Sequence, residues 1–123
     1  MTPTNRPAIE LAPPQTGTGD AKVLVPARVQ RNAVLHVRAL LAHPMLTGLS
    51  RDAEGKPIPA YWVKEVRVTY GGDPVARFEW SSGISRDPYV AFPLKAAREA
   101  PLTVTWTDNR GAVFTQTADI RFG

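Results

Sequence analysis

The sharpest chemistry in the chain sits in one tripeptide, His43-Pro44-Met45. An imidazole and a thioether two residues apart make a nitrogen–sulfur pair of the kind that soft metals such as copper accept. His36 offers a second nitrogen, but it stands seven residues upstream. The competing assignment is structural: His43 closes a strand end through a hydrogen bond, and Met45 fills a gap under the loop that follows. The 123 residues contain no cysteine and only two histidines. Thiolate ligands are therefore absent, and no metal or cofactor is expected.

Catalytic constellations fare no better. Ser50, Ser81, Ser82 and Ser85 all lie outside any nucleophile elbow. The Gly-rich GTG at 17–19 opens no helix and so builds no phosphate cradle. Acidic residues number 11, too few and too scattered to suggest a paired carboxylate site. No residue is expected to be catalytic, and the chain is read as a non-enzyme. Recognition is the better class. Arg51-Asp52, in the long loop after His43, reads either as a local ion pair that shapes the loop or as an arginine reaching across an interface. Trp80 and Tyr89 fall at hairpin or loop ends, where aromatic side chains either cap a fold or anchor a partner.

These residues need a scaffold, and its pattern is legible. Hydrophobic residues make up 43% and charged residues 21%, in a length that suits one domain. Residues 1–21 hold four prolines and no apolar period, so they read as a flexible leader without a secretory h-region. From residue 22 to 123 the text alternates in short runs broken by turn residues. Strands are expected at 22–30, with Pro26 forcing an edge or a bulge, and at 33–42, with Leu35, Val37, Ala39 and Leu41 on one face. Further strands are expected at 61–70, 74–80, 89–94, 102–107 and 112–122, with hairpin turns at Gly71-Gly72-Asp73 and at 108–111. Trp106, in step with Leu102 and Val104, belongs to the core. About seven antiparallel strands in a hundred residues predict an all-β, single immunoglobulin-like β-sandwich, with a small barrel as the alternative.

Charge adds little by itself. The net is +4, with a pI near 9.9, and 11 of the 15 basic residues are arginine. Lys and Arg are scattered, never denser than RVQR at 28–31, and no open sheet shows them interleaved with aromatics, so no nucleic-acid partner is expected. No apolar run reaches the ~20 residues of a membrane-spanning helix, so no membrane insertion is expected. An arginine-rich surface also suits sulfur oxyanions or an acidic protein.

Five blocks carry a resemblance: HPMLTG at 43–48, RDAEGKPIP at 51–59, the YGG turn at 70–72, DPY at 87–89 and WTDNRG at 106–111. Together they resemble the SoxZ family, the Z subunit of the SoxYZ sulfur carrier of thiosulfate oxidation, over residues 22 to 122. The proline-rich leader is an addition to that pattern. The resemblance implies a small immunoglobulin-like sandwich that pairs with a SoxY-type subunit as a heterodimer. The Y subunit bears a cysteine on a mobile C-terminal arm, and sulfur intermediates ride on that cysteine while other Sox enzymes process them. It also implies a periplasmic location, reached by co-transport with the Y subunit. On this reading His43, Met45, Arg51, Asp52, Trp80 and Tyr89 are candidates for docking the partner or an enzyme. Two other readings stay open: a free-standing β-sandwich binding module, and a periplasmic copper-handling protein using His43 and Met45.

Overall fold

The computed structural model describes residues 19–123, so the leader expected at 1–21 lies almost wholly outside the described residues. Seven strands form: β1 (Ala21–Leu24), β2 (Val34–Leu41), β3 (Val63–Tyr70), β4 (Asp73–Glu79), β5 (Tyr89–Lys95), β6 (Ala100–Asp108) and β7 (Val113–Ile120). They make two antiparallel sheets, one ordered β1-β2-β5 and the other β4-β3-β6-β7. This division of strands is that of an immunoglobulin-like sandwich, as the alternation predicts.

Period two decides which side chains meet. Leu35, Val37, Ala39 and Leu41 of β2 and Phe92 and Leu94 of β5 face inward from the first sheet. Val66, Val68 and Tyr70 of β3 and Leu102, Val104 and Trp106 of β6 face them from the second. Removing this apolar surface from water, at about 25 cal/mol per Å², is the main force holding the sheets together. Phe78 of β4 and Phe92 of β5 close one open side, with ring centroids 6.0 Å apart.

Two turns depend on their glycines. Gly71 and Gly72 have φ of 59° and 88°, the paired left-handed geometry of a two-residue hairpin between Tyr70 and Asp73. Gly111 has φ 86° in the β6–β7 turn.

The first strand departs from expectation. A single strand over 22–30 does not form; β1 ends at Leu24, two residues before Pro26. The chain then leaves the first sheet, and Val29 bridges Phe122 in parallel, its N–H donating to the Arg121 carbonyl at 2.9 Å. Proline has no N–H to continue the ladder, so Pro26 marks a crossing between sheets and not a bulge within one.

Candidate docking surface

The loop after β2 folds back on itself. Leu46 and Tyr61 exchange backbone hydrogen bonds of 2.6 and 2.9 Å, Ile58 N–H reaches the Ser50 carbonyl, and Arg51 pairs with Pro57. Residues 46–61 therefore form an irregular two-limbed arm whose tip is the segment 52–56. Asp52 shapes that tip: its Oδ1 accepts from the N–H groups of Glu54 and Lys56, both at 2.9 Å. Arg51 does not pair with Asp52. Its guanidinium donates to the Gly55 carbonyl at 2.9 Å, so one of the two expected roles, the local ion pair, is replaced by two separate side chain–backbone contacts. The outer arm is exposed, Leu49 most of all.

The base of the arm is a buried knot. His43 is 1% exposed, and its backbone N–H donates to Asp87 Oδ1 at 2.9 Å while the Asp87 N–H donates back to the His43 carbonyl at 2.8 Å. Met45 N–H donates to His43 Nδ1 at 3.0 Å, and the Val63 N–H donates to the Met45 sulfur at 3.3 Å. Because Nδ1 accepts, the neutral ring carries its proton on Nε2. That nitrogen is buried with no hydrogen-bond partner among the described residues. Burial holds the imidazole at a pKa of about 4, with Arg110 adding to the depression and Asp108 and Asp87 opposing it.

A column of rings and charge runs outward from His43. Its ring lies 4.3 Å from that of Tyr61, and the Arg110 guanidinium covers the other aromatic at 3.8 Å. Burial, and then Asp108, raise the Tyr61 phenol above its ordinary value. Asp108, 1% exposed, uses its Oδ1 to accept from Arg110 N–H and Ala112 N–H. Asn109 joins the β6–β7 turn to the arm, accepting from Trp62 N–H and donating to the Ala60 carbonyl. These contacts brace three loops at one end of the sandwich. His43 Nδ1 and the Met45 thioether each already hold a backbone N–H group.

The six sequence candidates do not form one cluster. His43 and Met45 touch each other inside the knot. Arg51 and Asp52 stand exposed on the arm they support. Trp80 is half-buried just past the end of β4 against the core, its backbone N–H donating to the Lys64 carbonyl. Tyr89 is exposed at the start of β5, across from Leu40. Asp87, Tyr61, Asp108 and Arg110 escaped the sequence reading as site residues, although DPY and WTDNRG contain three of them.

A family model described as sulphur oxidation protein SoxZ matches residues 23–119. The chain belongs to the SoxZ family. No curated protein matches the chain. Among solved structures, this SoxZ-family chain is similar to the superoxide reductase (neelaredoxin) of Ignicoccus hospitalis, at 17% identity and TM-score 0.63 over 84% of this chain and 80% of that one. It is also similar to the sulfur carrier protein SoxY of Chlorobium limicola f thiosulfatophilum, at 14% identity and TM-score 0.59 over 87% and 76% of the two chains. At these identities both likenesses show the fold alone. Among the described residues no group of three or more His, Cys, Asp or Glu side chains is gathered as a metal ion would need.

Proposed function

We propose that this chain is the non-catalytic subunit of a heterodimeric sulfur carrier, paired with a SoxY-type subunit that presents covalently bound sulfur to Sox enzymes during thiosulfate oxidation. The observation that carries this reading is the SoxZ-family match over residues 23–119 in a chain without cysteine. Thiol-borne sulfur needs a thiolate, so in these 123 residues there is nowhere for the adduct to form, and the cysteine-bearing arm must belong to the partner. The site geometry supports the same division of labour: the buried knot is structural, and the arm it supports is a surface for recognition. The heterodimer works in the periplasm, and this chain is exported bound to its partner.

Co-expression with a SoxY-type subunit tests the proposal. A one-to-one complex that survives size-exclusion chromatography supports it. Separate elution of the two chains at micromolar concentration overturns it.

A further inference from the structure

The outer faces of the two sheets are unlike. On the four-stranded sheet, threonines run through the outward face, with Thr69, Thr103 and Thr117 in one cross-strand row and Thr105 and Thr115 in the next, and its strands also expose Val75 and Val113. Its arginines are paired: Glu65 pairs with Arg67 at 2.8 Å and Arg77 at 2.6 Å, and Arg77 pairs with Glu79 at 2.7 Å.

The three-stranded sheet is different. Three of the exposed large apolar side chains among the described residues lie on its outer face, Leu24 of β1 (40% exposed), Val34 of β2 (65%) and Tyr89 of β5 (64%), against two on the strands of the other sheet. The register connects them into a surface. One row runs Lys22, Leu40, Tyr89, and the next runs Leu24, Arg38, Ala91. Then come His36 beside Pro93, and Val34 beside Lys95. The three strands contain no Asp or Glu at all. Lys22, Arg38 and Lys95 have no carboxylate partner among the described residues, in contrast to the arginines of the other sheet. At one end of the sheet lies a groove of ≈ 640 Å³ lined in part by Asp20, Lys22, Leu40 and Asp87 with Gln116 of β7, so acids stand at that rim although the three strands carry none.

Resting on the heterodimer reading above, we infer that this outer face of β1-β2-β5 is where the SoxY-type subunit seats, through a patch that is apolar at its centre and carries carboxylates opposite Arg38 and the two lysines. Apolar residues between unpaired cations are the composition of an interface awaiting its complement. Charge selects the occupant. A second copy of this chain would set Lys22, Arg38 and Lys95 against an identical cationic set, which opposes self-association. Residues 1–18 offer one acid, Glu10, offset by Arg6, too little to complement the face.

Calorimetric titration of the full chain with the SoxY-type subunit provides the test, using R38E/K95E on this face and T105K/T115K on the four-stranded face. Both pairs are on exposed or partly exposed surface, and unchanged melting temperatures confirm folding. The expected result is that R38E/K95E weakens binding at least 100-fold and T105K/T115K less than 3-fold. Tight wild-type binding that R38E/K95E leaves intact, or that T105K/T115K abolishes, overturns this placement while the heterodimer reading stands. No wild-type binding overturns both. Two further outcomes also count against it: a wild-type dimer that R38E/K95E converts to monomer assigns the face to a second copy, and a 10-fold gain in affinity on deleting residues 1–18 assigns it to the chain's own N-terminus.

Discussion

At the residue scale, the unusual group is His43, held neutral inside the arm's base with Nδ1 committed to the Met45 N–H. Its pKa of about 4 lies below the ordinary 6.5, so the unfolded chain binds the proton more readily than the folded one. Stability from this group is therefore complete above pH ~6.5 and lost as pH falls toward ~4. The size of the shift corresponds to about 2–3 kcal/mol between pH 7 and pH 4.5. Glu65, whose pKa Arg77 and Arg67 hold down, weakens the fold in the same direction on acidification, so the measurement has to be a difference. His43→Asn keeps an acceptor near the Nδ1 position and removes the titration. Urea unfolding at the two pH values should show the variant losing about 2 kcal/mol less than the wild type; equal losses would contradict the assignment. Asp87 makes a second residue-scale case. Its φ of 50° is rare for any residue before proline, and the reciprocal hydrogen bonds with His43 hold it there. Asp87→Asn, which tolerates the left-handed region and retains Oδ1, should change stability by under about 0.5 kcal/mol, whereas Asp87→Ala should cost about 1–2 kcal/mol in thermal or urea unfolding.

At the scale of elements, the hairpin and the arm carry the testable content. A Cβ on Gly71 would meet the Arg98 guanidinium, which donates to the Tyr70 carbonyl at 3.1 Å and to Asp73 Oδ2 at 2.9 Å. Gly71→Ala should therefore cost upward of 1 kcal/mol in unfolding, and Gly72→Asn, with open space around it and a residue that accepts positive φ, about half that or less. Both costs being equal would show that φ alone decides. For the arm, Leu49→Ala with Arg51→Ala should leave circular dichroism and melting unchanged and weaken capture by a Sox enzyme about 10-fold, since truncating one interface anchor commonly costs 1 kcal/mol or more. Met45→Ala belongs to another class: removing a buried side chain there should cost about 2–4 kcal/mol and loosen the arm's base. The two-sheet fold was legible because alternation in β2, β3 and β6 reports burial directly, residue by residue. The Gly71-Gly72 pair and Gly111 marked the two hairpin turns equally well. Less legible were features made by distant segments meeting, such as Asp87 against His43 and Arg110 over Tyr61. Local pattern could place Asp108 and Asn109 in a turn but could not say that the turn braces a loop 47 residues earlier. The fate of the chain after Pro26 was ambiguous for a related reason: a missing N–H says that a ladder stops, not where the chain goes next.

For the whole molecule, the contrast between the two sheets organises the account. One presents a threonine-rich face with its ion pairs closed internally, and the other an apolar and cationic face without a single acid on its strands. A braced arm stands at one end of the sandwich, with its outer part exposed. On the proposed heterodimer reading the chain is a scaffold that holds and presents, and the reactive sulfur rides on the partner's thiol. Native mass spectrometry of this chain mixed with a SoxY-type subunit and loaded with thiosulfate-derived sulfur tests that most directly. The account predicts a one-to-one complex in which the entire added sulfur mass stays with the SoxY-type subunit when the two chains are separated. Added sulfur mass on this chain, or two chains that never associate, would contradict it.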